Sequence, residues 1–180
     1  MKNLIFLLLI FISSKTLACP AIQGKWSSCS VSSSLFNSLE VVAANIALKT
    51  LTFDISNPST TTIRSKIIKD TIFSSPETIM DEVSLLNKNN KSVWDKNVFE
   101  NSTPPVLTIY MTCSANGMTE YITWENLSIA NYPDHATGNY PKYFKSLYGR
   151  SGNKLVRKIY SKGEKDGSYN YLARITCSKK

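Results

Sequence analysis

A single histidine, His135, leaves this chain of 180 residues little to catalyse with. A Ser-His-Asp triad needs that imidazole to face an acid, and Asp134, its neighbour in sequence, diverges from it. Zinc asks for several closely spaced His or Cys ligands; here the cysteines lie far apart, and no C-x-x-C occurs to support a redox or zinc centre. Nor is there a glycine-rich phosphate loop, since Gly24-Lys25 lacks the flanking residues of a P-loop. Lys and Arg occur singly or in pairs such as Arg157-Lys158 and Lys179-Lys180, so no basic tail exists. The acidic trio Glu77, Asp81 and Glu82 is close enough in sequence for an acid–base pair or a calcium site, and on a helix 77 and 81 would share a face. A solvated surface accounts for such a trio equally well. These absences favour a non-enzymatic protein without metal or cofactor.

Long apolar runs are also scarce. The one that stands out is Leu4 to Ile12, too short to span a bilayer. Lys2 precedes it, and Ser13-Ser14-Lys15-Thr16-Leu17-Ala18 follows, with small residues at −3 and −1 to a cut before Cys19. That is the layout of a secretory signal peptide, so residues 1–18 are expected to be removed and residues 19–180 to form one exported domain, secreted or periplasmic. The leader carries two lysines and no acid, so the formal charge of +8 falls to +6 in the mature chain. A mild excess of this kind suits solubility, and also contact with anionic envelope lipids or acidic glycans.

All four cysteines, Cys19, Cys29, Cys113 and Cys177, lie in the mature part, which in an exported chain suggests two disulfides with three possible connectivities. Spacing favours Cys19–Cys29, closing a short N-terminal loop, with Cys113–Cys177 tying the last strand to a central one. A cysteine directly after the cut could instead carry the lipid of a bacterial lipoprotein. Thr16 stands where such a site usually has Leu, and lipidation would leave an odd thiol; only then would the protein be held at a membrane.

Periodicity points to a mainly β fold. Gly24 to Val31 reads as a first strand anchored by Trp26, and Leu35, Leu39, Val42, Ala43 and Ile46 recur at helical spacing over a short segment from 32 to 48. From Leu51 the period is two: Leu51, Phe53 and Ile55 alternate with polar residues until Asn57-Pro58. Thr60 to Phe73 continues as a strand whose apolar phase changes between Ile67 and Ile68, which predicts a bulge. Pro76 to Leu86 fits a helical turn or a weak strand. Leu107 to Cys113 and Thr119 to Trp124 make a hairpin about Asn116-Gly117. Tyr143 to Arg150, Lys154 to Lys162 and Ser168 to Ser178 complete a meander of roughly eight strands. An antiparallel sheet of this size hides its edges by closing into a barrel, with a two-sheet sandwich as the other solution.

Gly24-x-Trp26 on the first strand, followed by such a meander, resembles the lipocalin and calycin barrels. The resemblance implies that Trp26 plugs a closed end with an arginine packed across its ring, Arg174 first and Arg157 second. It also implies a cup for a small apolar ligand, lined by Phe53, Leu107, Ile109, Met111, Tyr121 and Tyr171, residues that would equally fill a packed core. Tyr132, Tyr140, Tyr143 and Phe144, around the two Asn-Tyr-Pro triplets, could form an aromatic rim or simply close turns. Tyr143, Lys145, Tyr148, Arg150, Lys154, Arg157, Lys158 and Tyr160 interleave rings with cations as nucleic-acid platforms do, although an exported protein rarely meets that partner, and none is expected. Asn90, Asn101 and Asn126 head Asn-x-Ser/Thr triplets, used only in a eukaryotic secretory path. The function expected is binding of a small apolar ligand. The competing class is an envelope interaction module with a packed core and a protein or glycan partner on its basic face.

Overall fold

Ten strands and one helix follow from these patterns in a computed structural model that describes residues 19–33, 38–71, 74–93, 106–125, 142–163 and 165–180. A short 3-10 turn, Pro20–Ile22, leads into β1 (Gly24–Ser33), α1 (Ser38–Lys49), β2 (Leu51–Ser59), β3 (Thr62–Lys69), β4 (Glu77–Leu85) and β5 (Asn89–Val93). Then come β6 (Val106–Ser114), β7 (Gly117–Glu125), β8 (Tyr143–Ser151), β9 (Lys154–Lys162) and β10 (Asn170–Lys179). All form one antiparallel sheet in the order β4-β3-β2-β1-β10-β9-β8-β7-β6-β5, curled into a near-closed barrel. The expected leader, His135, Asn101, Asn126, Tyr132 and Tyr140 lie outside the described residues.

Among the described residues the count is ten strands, not eight. Glu77 to Leu85 is a full strand on β3, and Asn89 to Val93 adds a further strand that pairs along β6. The phase change foreseen in β3 is real, because its register against β4 shifts between Ile67 and Ile68. The β6–β7 hairpin needs glycine at 117 for space: a Cβ there would overlap the carbonyl of Tyr148 on β8.

The sheet has two seams. Strands β4 and β5 do not ladder; they meet at their connecting turn, where the Asn90 amide accepts from Leu85 N–H (2.9 Å) and donates to the Leu85 and Ile109 carbonyls (2.9 and 3.3 Å). Strands β1 and β2 pair only from Gly24–Ile55 to Trp26–Phe53. Beyond that point Asn45 of α1 replaces the missing strand. Its Oδ1 accepts from Val31 N–H at 2.7 Å and its Nδ2 donates to the Val31 carbonyl at 3.2 Å.

Asn45 also explains why α1 turns an unexpected side outward. The stripe expected to pack is exposed, with Leu39, Val42 and Ile46 at 79%, 55% and 63%. The helix is apolar nearly all round, so periodicity marks no unique inner face, and the two backbone bonds of Asn45 choose it.

The disulfides differ from the spacing-based choice. Cys19 joins Cys113 (Cα–Cα 4.9 Å) and Cys29 joins Cys177 (4.0 Å). Strand β1 is bulged between Ser27 and Ser30, with Ser28 left-handed at φ 49°, so the inward phase moves from Trp26 to Cys29 and Val31. Cys29 is thereby turned onto the strand beside it. Cys19 reaches β6 because the 3-10 turn crosses the floor of the barrel, where it touches β7 and β8. The Cys19 sulfur is thus engaged, and the lipoprotein reading falls with it.

Candidate functional site

The barrel has a floor and a lined interior. At the end marked by the turns after β2, β4, β6 and β8, Trp26 is fully buried among Ile22, Ile63 and Leu86, and its Nε1–H donates to the Ile22 carbonyl at 2.9 Å. Trp26 thus sits at the floor, and neither arginine named beside it packs across its ring among the described residues. Arg174 sits in the outward phase of β10, between inward Ala173 and Ile175, and is exposed. Arg157, the second choice, packs its guanidinium 4.9 Å from the Tyr148 ring centre instead.

Above the floor lies a cavity of about 340 Å³. Phe53, Leu107, Ile109 and Met111 line it, together with Ile55, Ile67, Met80, Met118, Leu155 and Ile175. Tyr121 and Tyr171 do not. They are outward, 36% and 44% exposed, in one cross-strand row with Tyr110, Lys145 and Tyr160. For Tyr171 the cause is a register shift on β10 between Tyr171 and Ala173, which puts the tyrosine out of phase with Ile175 and Cys177. On β7 the inward phase is Met118 and Glu120, so Tyr121 faces away. Tyr143 of the expected rim is likewise outside, against Lys162.

The acidic trio is divided by strand alternation. Asp81 is outside, bound bidentately by Arg64 (2.6 Å on each oxygen) and by Lys66 (2.9 Å), which holds its carboxyl well below the usual carboxylate range. Glu82 takes the opposite phase and lines the cavity. Residues 77, 81 and 82 therefore form neither a metal cage nor an acid–base pair.

One polar group inside the barrel was not foreseen. Glu120, Ser146, Tyr148 and Arg157 face one another from β7, β8 and β9. The Glu120 carboxylate accepts from Arg157 Nη2 and from the Tyr148 hydroxyl, both at 2.9 Å, and Ser146 Oγ accepts from Arg157 Nη2 and Nε at 3.0 and 3.2 Å. Burial pushes the Tyr148 phenol far above its ordinary value, with Arg157 pulling the other way, so it remains a neutral donor. Burial also works against the Arg157 charge, but Tyr148 and the Glu120 carboxylate restore it and lift its proton affinity. The sequence did carry a signal: Met118-x-Glu120-x-Ile122 and Leu155-x-Arg157-x-Ile159 each place a charge in the apolar phase of a strand. A charge there must be paired or face a filled interior.

Fold and site together define an antiparallel, near-closed β-barrel with a plugged floor and an apolar cavity. No family model and no curated protein matches the chain. Several solved structures are similar, among them fatty-acid-binding protein 1 of Echinococcus granulosus, 12% identical with a TM-score of 0.47 over 88% of this chain and 96% of that one. A REP1-NXSQ fatty acid transporter is 11% identical with a TM-score of 0.48 over 88% and 95%. The fluorescent protein UnaG is 11% identical with a TM-score of 0.48 over 88% and 97%.

Proposed function

We propose that the protein is an exported, non-enzymatic binding protein that holds a small ligand with a long apolar body inside its barrel. The observation that carries this is the cavity of about 340 Å³, walled mainly by aliphatic, Met and Phe side chains. A volume in this range suits a small-molecule site. Filling it removes apolar surface from water at roughly 25 cal/mol per Å² on each partner. The polar group at Arg157 orients the ligand: Nη1 has no partner among the described residues, while Glu120 balances the charge, so a neutral or weakly polar end group finds a donor there. Export rests on the leader-like residues 1–18 and is supported by the two disulfides, which suit an oxidising compartment.

The test is titration of the oxidised protein with an environment-sensitive apolar dye, followed by competition with long-chain molecules. The expected result is saturable one-site binding, displaced by chains with a polar end and weakened by Ile109→Trp, which fills the cavity. Failure of any apolar probe to bind, with the disulfides shown intact, would leave a solid-core interaction module as the better reading.

A further inference from the structure

The outer face of β6 to β10 carries an organised array that the interior does not explain. Tyr110, Tyr121, Lys145, Tyr160 and Tyr171 are direct cross-strand partners, one per strand, in a row about 19 Å long at the usual strand spacing. Lys145 lies 5.7 Å from the Tyr121 ring centre and 5.9 Å from that of Tyr169. Lys162 sits beside it, 4.7 Å from Tyr169 and 5.5 Å from Tyr143, and its ammonium also donates to the Lys165 carbonyl. Tyrosine rings therefore hold two ammonium groups in place over the sheet, an attraction of charge to ring quadrupole.

On this face the lysines are unpaired, although Glu125 at the end of β7 shares its outward phase. Among the described residues Lys145, Lys158, Lys162 and Arg174 have no carboxylate within ion-pair distance, although Lys158 and Arg174 are partners in the next row toward the floor. Its charge is open to an anion. Burial, with Tyr121 and Tyr143 nearby, raises the Tyr169 phenol above its ordinary value, so that ring stays neutral beside the two lysines.

We propose that this face binds an acidic polysaccharide, laid across the strands with its sugar faces on the tyrosines and its carboxylate or sulfate groups on Lys145, Lys158 and Lys162. Tyrosine suits sugars because its ring packs on C–H faces while its hydroxyl meets ring hydroxyls. The surface is flat and built on paired strands, so little ordering is needed on binding. Two features favour a glycan over single-stranded nucleic acid. The lysine ammonium groups lie over the faces of Tyr121, Tyr143 and Tyr169 on which bases would stack, and the disulfides suit an oxidising compartment, where acidic glycans are the abundant polyanion. A lipid surface is disfavoured because the strongly exposed aliphatic side chains, Leu39, Val42, Ile46, Ile79 and Val83, lie on α1 and β4 instead.

The experiment is a binding titration of the oxidised full chain against heparin and polygalacturonate, with dextran, oligothymidylate and phosphatidylglycerol vesicles alongside. Salt-sensitive binding to the acidic glycans, and none to dextran, is expected. The pair Lys145→Gln and Lys162→Gln together should weaken it about tenfold, and Tyr121→Ala with Tyr171→Ala several-fold with the salt dependence unchanged. Lys69→Gln with Lys88→Gln, away from the row, should leave it intact. Should the glutamine pair fail to fold, Lys145→Arg with Lys162→Arg must retain binding. No glycan binding, equal loss in the Lys69/Lys88 control, or tighter binding of oligothymidylate or vesicles would overturn the proposal.

Discussion

The two walls of the barrel treat charge in opposite ways. On the wall of β2 to β4 three aspartates hold cations: Asp54 with Lys25 of β1 at 3.8 Å, Asp81 with Arg64 and Lys66, and Asp70, just past β3, with Lys180 at 3.3 Å. On the wall of β7 to β10 the one ion pair among the described residues, Arg157 with Glu120, points inward, and Lys145 and Lys162 rest on tyrosine rings. One wall pairs its outward aspartates with cations, and the other leaves its lysines unpaired toward solvent. Net charge alone would never separate them, because the sign of a surface depends on where the acids sit.

The largest expected effect comes from releasing the walls where they meet. Cys29→Ala with Cys177→Ala removes the bridge between β1 and β10 and should cost about 2–5 kcal/mol in denaturant unfolding, since the closed loop is long. A loss below about 1 kcal/mol would mean that the ladder alone holds the walls together. Next in size is a matched pair of neutralisations. Glu120→Gln leaves Arg157 uncompensated inside and should cost about 1–3 kcal/mol, less than a fully buried pair because the Arg157 side chain is 29% exposed. Arg64→Gln breaks an exposed pair on the other wall and should shift the same unfolding curve far less. Equal shifts would erase the distinction between inner and outer charge.

Titration separates the walls further. The Tyr148 phenol is raised in the folded state, so its contribution is complete below the unfolded value of 10.0 and is lost as pH rises above it. Tyr148→Phe should accordingly flatten the alkaline fall in stability. Asp81 is lowered, so its contribution is present above the unfolded value of 3.8 and is lost as pH falls below it. The smallest effect follows: Asp81→Asn should be slightly less stable than the parent at neutral pH, the gap closing in acid and also narrowing in high salt.

Legibility in the sequence followed how local each determinant was. Strands β6 to β10 were readable because alternation and turn residues are local, as in Leu107 to Cys113 and about Asn116-Gly117. Strand β4 was not, because Ile79 and Val83 face outward and Met80, Glu82 and Ser84 inward, which masks the alternation that marks a strand. The disulfide pattern was hidden for a different reason. It depends on a left-handed Ser28 and on a 3-10 turn crossing the floor, neither of which shows in spacing. Tyr121 was misplaced although Glu120 beside it takes the inward phase, whereas Tyr171 alternates in sequence with Cys177 and is turned outward only by the register shift before Ala173, which no local pattern announces.

The bridges also decide what a single cut can do. Cys19–Cys113 and Cys29–Cys177 interleave along the chain rather than sitting side by side. A protease that nicks the backbone once between 29 and 113 leaves two covalent ties between the fragments, and one nick elsewhere between 19 and 177 still leaves one. Paired as neighbours, the same four cysteines would let a single nick release half the molecule. As joined, the barrel can be nicked once in its loops by a protease and remain one covalent piece.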